Sequence, residues 1–294
     1  MTPYHVFLAF LVAVIWGIAF VATKLGLESF SPPQLTALRF LIAAVPVLFV
    51  SRPPIAWSTL CAAGLALFAG QFLFQFFGIA NGMPPGLAAI VVQTQALFTI
   101  LFAGVVLNEK PTGRQQAGTA VAFAGLVVVA MTVGRDLTAI GLCLTTMSAI
   151  SWGIGNVLVK RLPQVDMLNL MIWLSLVPPL PALALSIALD GPAGIGRAIT
   201  EASWLAVAAT LYLGLVATVF AYAIWGSLLS RYSAATVTPF ALLAPFVAAY
   251  ASSLVFGERF GTLRLVGMGL VLLGLAVIVL PLERLAGRRP SRNA

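Results

Sequence analysis

The chain has 294 residues, 61% of them hydrophobic and 8% charged, against about 45–50% apolar and about 25% charged in an ordinary soluble domain. With a mean hydropathy of +1.06, it is excluded from the water-soluble globular class, and its continuous apolar runs exclude a β-barrel, which needs short alternating segments. The net charge of +8 requires no nucleic-acid partner, because it arises from basic residues at the ends of apolar runs, where they set topology.

An all-α polytopic membrane protein is predicted, with ten transmembrane helices near residues 4–25, 34–50, 57–80, 85–107, 112–133, 138–160, 167–189, 203–229, 233–256 and 262–282. Each is close to the roughly 20 residues that cross a bilayer. The first begins with Thr2, Pro3, Tyr4 and His5, has no basic leader, and reads as a retained helix rather than a cleaved signal. The connection from Asp190 to Trp204 is the longest expected between spans, and Glu283 to Ala294 forms a basic tail. Arg52, Lys110, Arg114, Lys160, Arg161, Arg231 and the tail arginines fall on the side of both termini. Lys24, Arg135, Arg197, Arg259 and Arg264 fall on the other, so both termini are expected in the cytoplasm.

The chain carries a duplication. Trp16-Gly17-Ile18 and Lys24 recur as Trp152-Gly153-Ile154 and Lys160, shifted by 136 residues; Leu107-Asn108-Glu109-Lys110 with Gly118 and Gly125 recurs as Phe256-Gly257-Glu258-Arg259 with Gly267 and Gly274, shifted by 149. Five spans in each copy force the second to enter the membrane from the opposite side, an inverted repeat. The expected units are 1–135, 136–282 and the tail 283–294, with the extra residues of the second copy around Asp190–Glu201. Each glycine pair lies on one helix face and suits close packing inside the chain, or the contact of a homodimer.

Polar side chains inside spans are costly and tend to face a cavity. Gln71 and Gln75 lie one turn apart; Gln93, Thr94 and Gln95 sit mid-span; Thr218, Tyr222 and Trp225 form an i, i+4, i+7 stripe; Asn156 stands one turn beyond Trp152, as Phe20 does beyond Trp16. Trp16, Gln71, Gln75, Gln93, Gln95, Trp152, Asn156, Tyr222 and Trp225 are therefore the expected substrate contacts. The alternative for each is interhelical hydrogen bonding or space filling. Lys24 and Arg39 are candidates to attract a carboxylate, although Lys24 also suits snorkelling or a pair with Glu28. All eight acids map to span ends or loops, which disfavours obligatory proton coupling. Cys61 and Cys143 are expected at opposite ends of their spans, too far apart for a disulfide, and the single histidine, His5, builds no metal cluster. No metal or cofactor is expected.

The two five-helix halves, the Trp-Gly of each first helix, Leu38-Arg39-Phe40-Leu41 and the Glu-Lys and Glu-Arg ends resemble the EamA family of the drug/metabolite transporter superfamily over nearly the whole chain. Pro245 departs from the duplication, since its first-half partner is Ala96. The resemblance implies a bacterial inner-membrane carrier with a small-molecule substrate, and several members export amino acids and related metabolites. Together with the aromatic lining, it points to export or facilitated diffusion of aromatic or bulky neutral amino acids by alternating access, and to the aromatic amino acid exporter branch. Proton-coupled efflux of amphipathic drugs or other metabolites is the alternative. A channel is a third reading, and an enzyme is disfavoured because no nucleophile with a base, paired acids or metal set lies within the spans.

Overall fold

Helix starts are written into local sequence. Thr2 accepts the His5 amide at the start of α1 (Pro3–Gly26). Ser31 with Gln34, and Thr112 with Gln115, form capping boxes for α2 (Pro32–Phe49) and α5 (Gly113–Ala130). The remaining helices are α3 (Trp57–Ala80), α4 (Pro85–Val106), α6 (Ala139–Lys160), α7 (Met167–Thr200), α8 (Trp204–Arg231), α9 (Thr236–Phe256) and α10 (Thr262–Val279). The computed structural model describes residues 1–134, 136–163 and 165–280, so the predicted tail and the predicted outer Arg135 lie outside the described residues. Among those described there is no strand, and nine helices are long and apolar enough to cross a membrane. The fifth predicted span is the exception, because Arg114, Gln115 and Gln116 in the first turn of α5 dilute its hydropathy.

The expected connection after Asp190 is corrected: the chain stays helical to Thr200. Gly191, with φ of 66°, breaks the helix, and Pro192 lies in the turn that starts the next piece.

Helices 149 residues apart run antiparallel. Arg114, at the start of α5, donates to the Leu280 carbonyl beyond the end of α10, and Gly86, at the start of α4, reaches Glu258 beyond the end of α9. The other contacts exchange in the same way: α1 packs on α8 and α9 as α6 packs on α3 and α4, and α2 packs on α7. The two copies are thus inverted. Asn108 and Gly257, at equivalent positions, both take left-handed backbone, with φ of 54° and 66°, and turn the chain after α4 and α9 alike.

The glycine faces meet inside the chain. A Cβ on Gly118 would stand 2.6 Å from the Gly274 carbonyl oxygen, and one on Gly125 2.7 Å from that of Gly267. Lipid supplies no hydrophobic drive for helix association, so backbone approach of this kind is what packs α5 on α10.

Four interruptions shape the centre. α4 breaks at Gln93–Thr94 and α9 at Leu242–Leu243, equivalent positions, so Pro245 without a first-half partner does not make the two helices break differently. α3 and α8 widen into π-helical turns at Leu65–Gly70 and Tyr212–Phe220; such wide turns recur at functional sites. The buried core is split accordingly. Phe40, Phe68, Phe76, Leu170 and Leu213 anchor a cluster of α1, α2, α3, α7 and α8, whereas Leu87, Ile90, Leu97, Val129 and Val271 anchor one of α4, α5 and α10.

Candidate functional site

A cavity of about 420 Å³ lies between these clusters, at the breaks of α4 and α9. This is within the usual size of small-molecule sites. It brings together all nine residues predicted as contacts: Trp16 from α1, Gln71 and Gln75 from α3, Gln93 and Gln95 from α4, Trp152 and Asn156 from α6, Tyr222 and Trp225 from α8. Arg39 from α2 joins them and Lys24 does not. Lining positions are also related by the duplication: Trp16 with Trp152, Phe20 with Asn156, Val92 with Ala241 and Gln95 with Ala244. The pseudo-two-fold axis therefore passes through the cavity.

Trp16 is fixed on both sides. Its Nε1 donates to the Ala217 carbonyl of the π-helical turn at 3.1 Å, and its ring meets Trp225 and Tyr222 at centroid separations of 5.0 and 5.6 Å. Gln71 Nε2 donates to Gln75 Oε1 at 2.7 Å, while Gln71 Oε1 is buried with no hydrogen-bond partner. Gln93 and Asn156 also tie helices together. Pro245 has no N–H for the Ala241 carbonyl, and Gln93 Nε2 donates to that oxygen at 3.3 Å; Asn156 Nδ2 donates to Thr99 Oγ1 at 3.0 Å. The structural role and the lining role thus coincide in these two side chains.

Arg39 is 4% exposed, yet no acid lines the cavity among the described residues. Its Nε donates to Thr218 Oγ1 at 3.2 Å, and its guanidinium carbon lies 4.0 Å from the Phe72 ring centroid and 5.5 Å from that of Phe40. Thr218 donates onward to the Leu213 carbonyl across the wide turn. The cation is thus held by rings and a hydroxyl, and its planar fork, suited to bidentate carboxylate binding, is not matched by a protein carboxylate.

Lys24 sits elsewhere. Its ammonium lies 4.4 Å from the Phe256 ring centroid at the end of α9, and the expected pair with Glu28 is absent from the ion pairs of the described residues. Aromatic contact replaces it. Sequence reasoning passed over Phe72, which carries the Arg39 stack, and Thr23, although Thr23 lies at i+7 from Trp16 on the same helical face.

Comparison with known proteins agrees with this architecture. A sequence profile of the EamA-like transporter family matches residues 4–131 and 139–280. A Salmonella typhimurium protein named "probable amino-acid metabolite efflux pump" is 38% identical over 280 residues, covering 93% of this chain and 94% of its own length. Its namesake in Escherichia coli is 36% identical over 94% of this chain and 95% of its own length. A "probable terminal-alkyne amino-acid exporter" of Streptantibioticus cattleyicolor is 29% identical over 95% and 93%. A solved crystal structure with 19% sequence identity superposes over 100% of both chains with a TM-score of 0.64, a likeness of fold. The two matched segments and the inverted halves make the chain a multi-pass membrane transporter, not an enzyme, and a member of the EamA-like transporter family.

Proposed function

We propose that this transporter exports amino acids, with aromatic and bulky neutral ones preferred, across the bacterial inner membrane by alternating access through the central cavity. The observation that carries the reading is the lining: aromatic rings from α1, α6 and α8 for an apolar side chain, amides on α3 and α4 for polar atoms, and Arg39 for a carboxylate. Each aromatic or amide contact need contribute only about 1 kcal/mol. The names of the relatives, which describe exporters of amino acids or their metabolites, support the same class of cargo. The basic residues flanking the spans favour cytoplasmic termini. The 18-residue α5, packed along α10, serves as the tenth span, and the chain acts as a monomer whose glycine faces are occupied internally.

Counterflow of labelled phenylalanine in proteoliposomes, with unlabelled amino acids and cationic dyes as competitors and with or without a pH gradient, tests this reading. Saturable counterflow blocked by aromatic amino acids and indifferent to the gradient supports it. Competition by dyes with strict pH dependence replaces it with coupled drug efflux. In the same assay Trp152→Ala and Gln75→Ala are each expected to raise KM for phenylalanine about 5-fold, the loss of one contact of about 1 kcal/mol, while the protein still folds and inserts into the membrane.

A further inference from the structure

The duplication places a lysine–glutamate pair at each end of the helix bundle, beyond the residues that line the cavity, and the structure treats the two pairs differently. Lys160 at the end of α6 and Glu109 beyond α4 form an ion pair at 2.5 Å. Their equivalents are Lys24 at the end of α1 and Glu258 beyond α9, which belong to the exchanged helix pair. These two are apart: Lys24 rests on Phe256, and Glu258 Oε2 accepts the Gly86 amide at 3.2 Å while Oε1 is buried with no partner.

Both glutamates follow a left-handed residue and the same helix-ending turn, so the loops do not set the difference. It lies in how the helices stand. Thr23, next to Lys24, lines the cavity, whereas its equivalent Val159, next to Lys160, packs into the core. The cavity therefore reaches further toward the parted pair. Burial holds the Glu258 carboxyl above the usual carboxylate range, and the neighbouring Ser252 hydroxyl, the Gly86 amide and the charges of Lys24 and Arg264 oppose that shift. A half-buried acid with one orphaned oxygen close to a lysine is one step from a closer ion pair.

We infer that Lys160–Glu109 and Lys24–Glu258 are the two closures of the transport cycle, made one at a time. In the structure the first is made and the second is parted. Inverted repeats supply the reason: exchanging the conformations of the halves turns each mouth into the other, so the contact that closes one mouth has an equivalent that must open. The inference deepens the alternating-access reading and rests on it.

Cysteines replace both pairs, Lys24→Cys with Glu258→Cys and Lys160→Cys with Glu109→Cys, in a chain whose exposed Cys61 and Cys143 are changed to serine. The purified protein is treated with a short bismaleimide, and links per molecule are counted by intact mass. Each two-cysteine protein is expected to link, and the four-cysteine protein to accept one link per molecule. No link between positions 24 and 258, or two links in one molecule, overturns the inference. A second measurement leaves the first closure's backbone untouched. With Glu109→Gln added, the yield of the 24–258 link should rise about 2- to 5-fold, the effect of losing an exposed ion pair, and an unchanged yield counts against it. Phenylalanine counterflow of the unmodified protein, measured in parallel, tests the transport reading separately.

Discussion

Arg39→Gln is expected to lower phenylalanine counterflow by about 10- to 100-fold, mostly through KM, with Tm unchanged or slightly raised. The size follows from losing a charge-assisted contact of roughly 1.5–3 kcal/mol to the substrate carboxylate, at about 1.4 kcal/mol per tenfold. Stability should not fall, because removing one member of a buried ion pair is costly when it strands the other charge, and the partners of Arg39 among the described residues are the Thr218 hydroxyl and the Phe72 and Phe40 rings, none of them a charge. Arg39→Lys should recover part of the activity, since it keeps the charge and loses the planar fork stacked on Phe72. Competition separates the site from the scaffold: phenethylamine, which lacks the carboxylate, should bind the variant about as well as it binds the unmodified protein. A large drop in Tm with transport per folded molecule unaltered would make Arg39 a structural residue.

Gly118→Leu should fail earlier, at folding. The atoms that a side chain at Gly118 would meet include the Gly274 carbonyl oxygen at 2.6 Å, which is backbone and cannot turn aside. Separating α5 from α10 to make room would also part Gly125 from Gly267, and a cost of about 3 kcal/mol, the upper part of the usual range for overpacking, is expected. Yield of folded protein after detergent extraction and its Tm measure this. Gly269→Leu on the partner helix α10 is the control, because a Cβ there meets nothing within 4 Å. Equal loss in both variants would remove the glycine seam as the cause.

The seam and the cavity were legible in the amino-acid sequence because both follow from helical periodicity. Glycines seven apart share a face, and so do Thr218, Tyr222 and Trp225; the duplication then pairs one half with the other. What escaped needed contacts between elements. Gly191-Pro192 reads locally as the end of a helix, yet the chain resumes helical structure to Thr200, since one residue with positive φ suffices to redirect it. The π-helical turns in α3 and α8 carry no residue signature of their own, although the α8 turn carries the Ala217 and Leu213 carbonyls that hold Trp16 and Thr218. Lys24 chose a ring on α9 over the acid four residues along its own chain, a choice set by the approach of α1 to α9.

Arg39, the one cation and with no acid beside it in the cavity lining among the described residues, has an electrical meaning. If the two bundles rock about Arg39 and leave it near the midplane, the protein itself moves little charge across the membrane, and the cargo alone decides what the membrane potential does. A zwitterion then crosses without electrical work. A monoanion, such as an N-acylated amino acid, is driven out of an inside-negative cell by about 2.3 kcal/mol per 100 mV, which is roughly 50-fold in the steady-state ratio at 1.4 kcal/mol per tenfold. The same cavity would thus be a passive valve for one class of cargo and a voltage-powered exporter for the other, with no coupled ion in either case.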